Sequence, residues 1–310
     1  MPKLNLITKI LIAIVTALLY GVVSYYGHYF NTFGSESESI ITVLVFFILL
    51  IVFSLLAILL KTTSKKFKVC RFFEYLCILA VLVIPFVGFN NICACVSVTR
   101  HKDSIEKEIN KCITESHQLF TDYESYVEKR KKRAKKNMEA LIANREQRCT
   151  ELWNSGFSEI PCEKLSLLND RKENFIKLLD ADLKIDTTQA TEWLKKFQDA
   201  SILNPAVVDY AKVLPQSIKK WNNDREERGA LETRQQYEPK QTFEPYTKKV
   251  SVQDFETLFK RKDEKLKTIL LCLVFGILLL LPWYTSKRDS RAEGLDWLGR
   301  YRNEDYEEIL

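Results

Sequence analysis

The sequence predicts an all-α, polytopic membrane protein, with four transmembrane helices and a mainly helical extracytoplasmic domain between the third and the fourth. Three observations predict it. Apolar runs over 10–26, 40–60, 72–89 and 268–284 each approach the about 20 residues that a spanning helix needs. The third and fourth runs are separated by a long, charged, water-compatible segment, whereas the others are joined by short loops. Lys and Arg alternate between the flanks, as orientation in a bilayer requires.

The second run, Ile40 to Leu60, carries no charge, Pro or Gly, and the fourth, Thr268 to Trp283, is nearly as apolar. The first begins near Leu4 and is interrupted by Lys9, whose stem can snorkel to the headgroups. Ser24-Tyr25-Tyr26-Gly27-His28 lacks the small-x-small pattern of a cleavage site, so this run reads as a span and not a removed leader. The third contains Pro85 and Gly88, tolerated in a membrane where neighbours satisfy the freed carbonyl. Lys3 and Lys9 mark the N-terminal flank; Lys61, Lys65, Lys66, Lys68 and Arg71 mark the second loop; Lys287, Arg288 and Arg291 follow the last span. The first loop has Glu36 and Glu38 and no cation. The expectation is a multi-pass inner (plasma) membrane protein with both termini cytoplasmic and the large domain periplasmic.

Four segments follow: 1–98, a three-helix transmembrane region; 99–266, the extracytoplasmic domain; 267–286, the fourth span; and 287–310, a cytoplasmic tail. From Val96 to Gln147 there is neither Gly nor Pro, and apolar residues recur at helical spacing from Ile105 to Leu141. A helix of about 45 residues would extend roughly 65–70 Å if unbroken. It reads either as a coiled-coil-like stalk continuing the third span or as a helix folded onto its own domain. Gly156 and Pro161 break the chain, and a second helix is predicted from Leu165 to Leu183. Asp186 or Thr187 caps a third, and Asn204-Pro205 is a cap followed by a first-turn proline. Pro215 begins or kinks the next stretch, which stops at Gly229. Over 235–250 the repeat Tyr237-Glu238-Pro239, Phe243-Glu244-Pro245 predicts an extended strap, because residues preceding proline are pushed out of the helical region. One short strand pairing is expected near 241–250, and a helix opening at Ser251 is expected to run into the fourth span.

Of eight cysteines, Cys149 and Cys162 bracket the Gly156/Pro161 turn. A disulfide there closes a loop of about 14 residues, worth about 3 kcal/mol in the chain-entropy account. It requires an oxidising compartment, which the expected topology supplies. The alternative is a set of buried thiols. Metal binding is disfavoured because no CxxC pair exists and only His28, His101 and His117 are available. Seven of the eight residues from Lys129 to Lys136 are cationic: Lys129, Arg130, Lys131, Lys132, Arg133, Lys135 and Lys136. They read as a solvated helix face or as a contact for lipid headgroups, an acidic polymer or an acidic partner. No aromatic platform or recognition fold accompanies them, so nucleic acid is not expected. In the tail, Leu295, Trp297, Leu298 and Tyr301 form a small apolar face for headgroups or for a cytoplasmic partner. Glu74, close to the interface beside Arg71, reads as an ordinary paired carboxylate.

No nucleophile elbow, zinc-protease helix or Gly-rich phosphate loop is present in a chain with only nine glycines, and no cofactor is expected. The layout resembles that of inner-membrane parts of bacterial envelope machines, an analogy of arrangement alone. The expected role is a non-enzymatic scaffold or sensor of a secretion- or defence-type assembly. Its partners would be membrane lipids, other envelope proteins and further copies of itself. The competing expectation is a pore-forming effector built from oligomerised spans, against which Thr16, Ser24 and Ser54 are too few and scattered to line a water-filled channel.

Overall fold

The computed structural model describes residues 6–62, 67–230 and 244–287. Among these residues the chain is all helical, with no strand. It divides into two compact units: residues Met1–Lys102 with Glu256–Leu310, and Asp103–Phe255.

The first unit contains α1 (Leu6–Asn31), α2 (Glu36–Thr62), α3 (Phe67–Val87), α4 (Phe89–Arg100) and α11 (Lys265–Tyr284). Four segments, Ile7–Asn31, Glu36–Thr62, Cys70–Val87 and Lys265–Tyr284, are long and apolar enough to cross a membrane. Such segments form helices because hydrocarbon offers the backbone no hydrogen-bond partner, and a helix satisfies it internally. α1 packs on α2 and α4, α2 on α3, and α11 against α1 and α3. Tyr20, Leu50, Val81, Ile92, Cys272 and Leu279 meet at the centre. Tyr20 is edge-on to both Phe46 and Phe275, with ring centroids 5.9 and 5.4 Å away. Leu11, Leu18, Val45, Ile48, Leu79 and Ile277 point outward, as lipid-facing residues do. Apolar attraction alone gives helices no reason to associate in lipid, so close backbone approach matters. Gly27 supplies it: a β-carbon there would lie 1.8 Å from the Asn91 carbonyl oxygen of α4.

The predicted long helix is divided. α4 ends at Arg100, His101 turns with φ −95° and ψ 13°, and α5 (Lys102–Ala143) begins anew. The interruption coincides with a charged knot within the first unit. Arg100 Nε lies 2.6 Å from Glu264, His101 Nε2 lies 3.1 Å from Asp263, and Lys267 lies 3.1 Å from Glu264. The same knot corrects the helix expected from Ser251. Helix α10 spans only Phe255–Phe259, and residues 261–264 are non-helical before α11 starts. The acidic side chains of that break are held by α4, which overrides the local helical preference.

In the second unit α5 forms a spine of 42 residues, about 63 Å at 1.5 Å per residue. One face is buried, through Ile109, Cys112, Ile113, Leu119, Phe120, Tyr123, Val127 and Met138. It packs by side chains against α7 (Leu165–Leu183) and α9 (Pro205–Ala230), and α8 (Thr188–Phe197) packs on α9 through Trp193 and Tyr210, ring centroids 4.2 Å apart. Tyr123 donates to the Leu183 carbonyl at 2.9 Å, the Glu106 carboxylate accepts from the Ile202 amide at 3.0 Å, and Phe120 meets Trp221 at 5.2 Å. The helix starts follow the sequence. Asp186 accepts from the Thr188 amide at 3.0 Å, and Asn204 accepts from the Ala206 amide at 3.1 Å, just past Pro205. Pro215 lies inside α9 without ending it.

Of the predicted strap, 235–243 lie outside the described residues, and 244–250 carry neither helix nor strand. The strand pairing expected near 241–250 is absent from that described part. Side chains do the work of a ladder. Asn222 donates from Nδ2 to the Val250 carbonyl at 2.9 Å and accepts from the Val250 amide at 3.0 Å. Tyr246 enters between Tyr123 and Tyr126, at 5.1 and 5.3 Å, and packs on Gly229, where a β-carbon would lie 2.6 Å from that of Tyr246.

Candidate interaction surfaces and a charged cavity

Cys149 and Cys162 are joined in a disulfide with their α-carbons 6.1 Å apart, inside the roughly 4.4–6.8 Å range of such bridges. Between them lie the short α6 (Cys149–Leu152) and a π-helical turn, Trp153–Phe157. Leu152 and Phe157 are buried and anchor this hairpin, while Trp153 is 58% exposed. The other six cysteines form no disulfide. Cys112, buried in α5, has its thiol pushed up to about 11 by burial and by Glu115 and Glu108, so it stays protonated at neutral pH.

The basic run does not spread evenly around α5. Arg130 is buried at 6% exposure and donates to the Gly229 carbonyl and to Tyr126 Oη, both at 3.3 Å. It braces the C-terminal end of α9. Lys131 lies between Glu128, 2.5 Å away, and Asp180, 2.7 Å away. Hydrogen bonds to Asp180 and then Glu128 raise its pKa. Lys135 reaches Glu173 at 3.5 Å. Lys129, Lys132, Arg133, Lys135 and Lys136 are exposed. The run is therefore part internal brace and part open cationic face. Of the tail residues, Leu295, Trp297, Leu298 and Tyr301 lie outside the described residues.

Glu74 is fully buried and accepts from the Trp283 indole at 2.8 Å. Lys61 donates to the Trp283 carbonyl at 2.8 Å and stands 4.3 Å over its ring. Lys9 donates to Ser286 at 3.1 Å. These contacts tie the ends of α1, α2, α3 and α11 together, a structural role for the intramembrane carboxylate.

Sequence reading did not single out Arg225. It is 1% exposed, with its guanidinium 4.2 Å over Phe120 and 5.7 Å over Tyr123. One Nη donates to the Trp221 carbonyl at 3.1 Å, and buried Nε has no partner. Burial lowers its pKa. Arg225 lines a cavity of about 410 Å³, with Asp186, Trp193, Lys220, Trp221 and Asp224 also in its wall. A second cavity of about 390 Å³, between Tyr123, Lys131 and Asp180, shares Ile185 and Thr187 with it. No group of three or more His, Cys, Asp or Glu among the described residues is placed to hold a metal ion.

No protein-family model, curated protein or solved structure matches this chain. The fold and its surfaces are the whole basis for a functional reading.

Proposed function

We propose that this chain is a non-enzymatic membrane scaffold or sensor, whose Asp103–Phe255 unit lies outside the cytoplasm and binds other envelope proteins. The observation that carries the reading is the Cys149–Cys162 disulfide in that unit. Such a bridge persists in an oxidising compartment, and the cationic flanks of the short loops independently favour the same side. Two surfaces suit a partner. One is the open cationic face of α5, Lys129, Lys132, Arg133, Lys135 and Lys136, fit for acidic protein or anionic headgroups. The other is Trp153, held outward on a stapled hairpin, as rigid aromatic anchors of interfaces are. The cytoplasmic tail would take a second partner or lie along the headgroups.

A pore assembled from several copies is the competing reading. Thr16, Ser24 and Ser54 are buried, and Ser54 donates to the Leu279 carbonyl at 3.1 Å, while the outward faces of the spans are Leu, Ile and Val. That distribution supports a bundle closed on itself. The test is affinity purification of the full chain from native membranes, with measurement of oligomer mass and of membrane potential on expression. Stoichiometric partner proteins support the scaffold. A pure homo-oligomer that depolarises cells supports the pore and overturns the scaffold.

A further inference from the structure

The cavity beside Arg225 has an unusual charge arrangement. Arg225 is 1% exposed, leaves Nε without a partner, and makes no ion pair among the described residues. The guanidinium lies on two ring faces and donates to one carbonyl, while Asp224 and Glu124 act on it through space without a direct ion pair, which leaves capacity for a further carboxylate. Lys220 and Asp224 stand one helical turn apart on α9, spacing that suits a salt bridge, yet they form none. Asp186 is half engaged, since one of its oxygens accepts from the Thr188 amide. Trp193 and Trp221, 6.1 Å apart and nearly perpendicular, supply the apolar part of the wall.

These features select one class of ligand. Two carboxylates, Asp186 and Asp224, repel a phosphate or any polyanion, and two cations, Lys220 and Arg225, repel a simple amine. A molecule carrying one carboxylate and one ammonium answers both pairs at once, and an apolar substituent finds the indoles. The volume, about 410 Å³, falls in the range of small-ligand sites, about 300–1,000 Å³.

We propose that this cavity binds a small zwitterion with an apolar side chain, a free amino acid or a very short peptide, with its carboxylate toward Arg225 and Lys220 and its ammonium toward Asp224. The site goes beyond the scaffold reading and is independent of which way the chain crosses the membrane.

The experiment uses the full chain in detergent micelles and follows tryptophan emission, to which Trp193 and Trp221 contribute. The titrants are L-leucine, dileucine, leucinamide, N-acetylleucine and inorganic phosphate. Leucine or dileucine is expected to give a saturable change, and whichever binds more tightly identifies the source of the zwitterion. Leucinamide, lacking the carboxylate, and N-acetylleucine, lacking the ammonium, should each bind roughly tenfold or more weakly, the worth of one charge-assisted hydrogen bond. Lys220→Gln and Asp224→Asn, which break no salt bridge among the described residues, should each weaken binding by a similar factor, with cooperative thermal unfolding showing that the fold is retained. The proposal is overturned if neither zwitterion gives a saturable change at its solubility limit. It is equally overturned if N-acetylleucine or phosphate binds as well as leucine, or if both variants bind like the parent.

Discussion

Replacing Asn222 with alanine tests whether a single side chain closes the strap onto the second unit. Asn222 and Val250 are both 7% exposed and exchange two hydrogen bonds, at 2.9 and 3.0 Å. Asn222→Ala removes both and leaves the amide and carbonyl of Val250 facing an apolar methyl. If the strap stays in place, each orphaned group costs about 1–3 kcal/mol, or about 2–6 kcal/mol together. If it swings out to water, the loss falls to the net worth of the two bonds, about 1–3 kcal/mol, plus the burial of Val250 and Tyr246. Either way the local opening free energy should drop by at least about 2 kcal/mol. Amide hydrogen exchange at Val250 reads it directly, because exchange there reports local opening and not only global unfolding. The expected result is a Val250 protection factor at least about thirtyfold lower than in the parent, with α5 near Ile109 unchanged. Asn222→Asp keeps an acceptor for the amide but turns a carboxylate toward the Val250 carbonyl, so it should open the strap as well. Unchanged protection in Asn222→Ala would refute the account of this clamp.

Gly229→Ala places a β-carbon 2.6 Å from that of Tyr246, so thermal unfolding should show a loss of about 1–3 kcal/mol from overpacking. Gly27→Ala sets a methyl against the Asn91 carbonyl at 1.8 Å, and the detergent-solubilised bundle should unfold at lower temperature or fail to accumulate, as melting curves and yield will show. Folding holds the Cys112 thiol near 11 and the Tyr123 and Tyr246 hydroxyls near 12, above their ordinary values of 9.0 and 10.0, through burial. The folded state therefore keeps protons that the unfolded state releases. This stabilisation is full below about pH 9 and is lost as pH rises from there toward 12, so denaturation midpoints should fall across that window. Reversing Lys129, Lys132 and Lys136 to Glu should leave unfolding temperature nearly unchanged, since exposed charges contribute little, and should weaken association with anionic vesicles most at low salt. Lys131→Glu should instead destabilise the fold, because it sets a carboxylate beside Asp180 and Glu128.

The parts legible in the sequence were those written in local chemistry. Long apolar runs marked the spans, and Asn204-Pro205 marked the start of α9 because a capping side chain and a preset φ act within one turn. The bounds of α7, Leu165 and Leu183, follow from apolar spacing between breakers. What escaped depended on distant residues. The helix expected from Ser251 fails because Asp263 and Glu264 are held by His101 and Arg100, more than 160 positions earlier. Arg225 and Arg130 read as solvated charge because their neighbours are charged. A signal was present in register: Leu214, Ile218, Asn222, Arg225 and Gly229 form one buried stripe of α9, as Tyr123, Val127, Arg130, Ala134 and Met138 do on α5. An arginine in the core register of an amphipathic helix deserves to be read as part of the interior before it is read as surface.

The central claim is that the Asp103–Phe255 unit faces an oxidising space outside the cytoplasm while both termini lie within it. Single cysteines at Ser37, in the first loop's α2 end, and at Gln235, against Ser64 and Ser290, test it in intact cells with a membrane-impermeant maleimide, in a background with the six cysteines outside the disulfide replaced by serine or alanine. The account predicts labelling at 37 and 235, none at 64 and 290 until the membrane is permeabilised, and no labelling of Cys149 or Cys162 without a reductant. Labelling of 64 and 290 alone from outside would contradict the topology, and free thiols at Cys149 and Cys162 would remove the observation on which the proposed function rests.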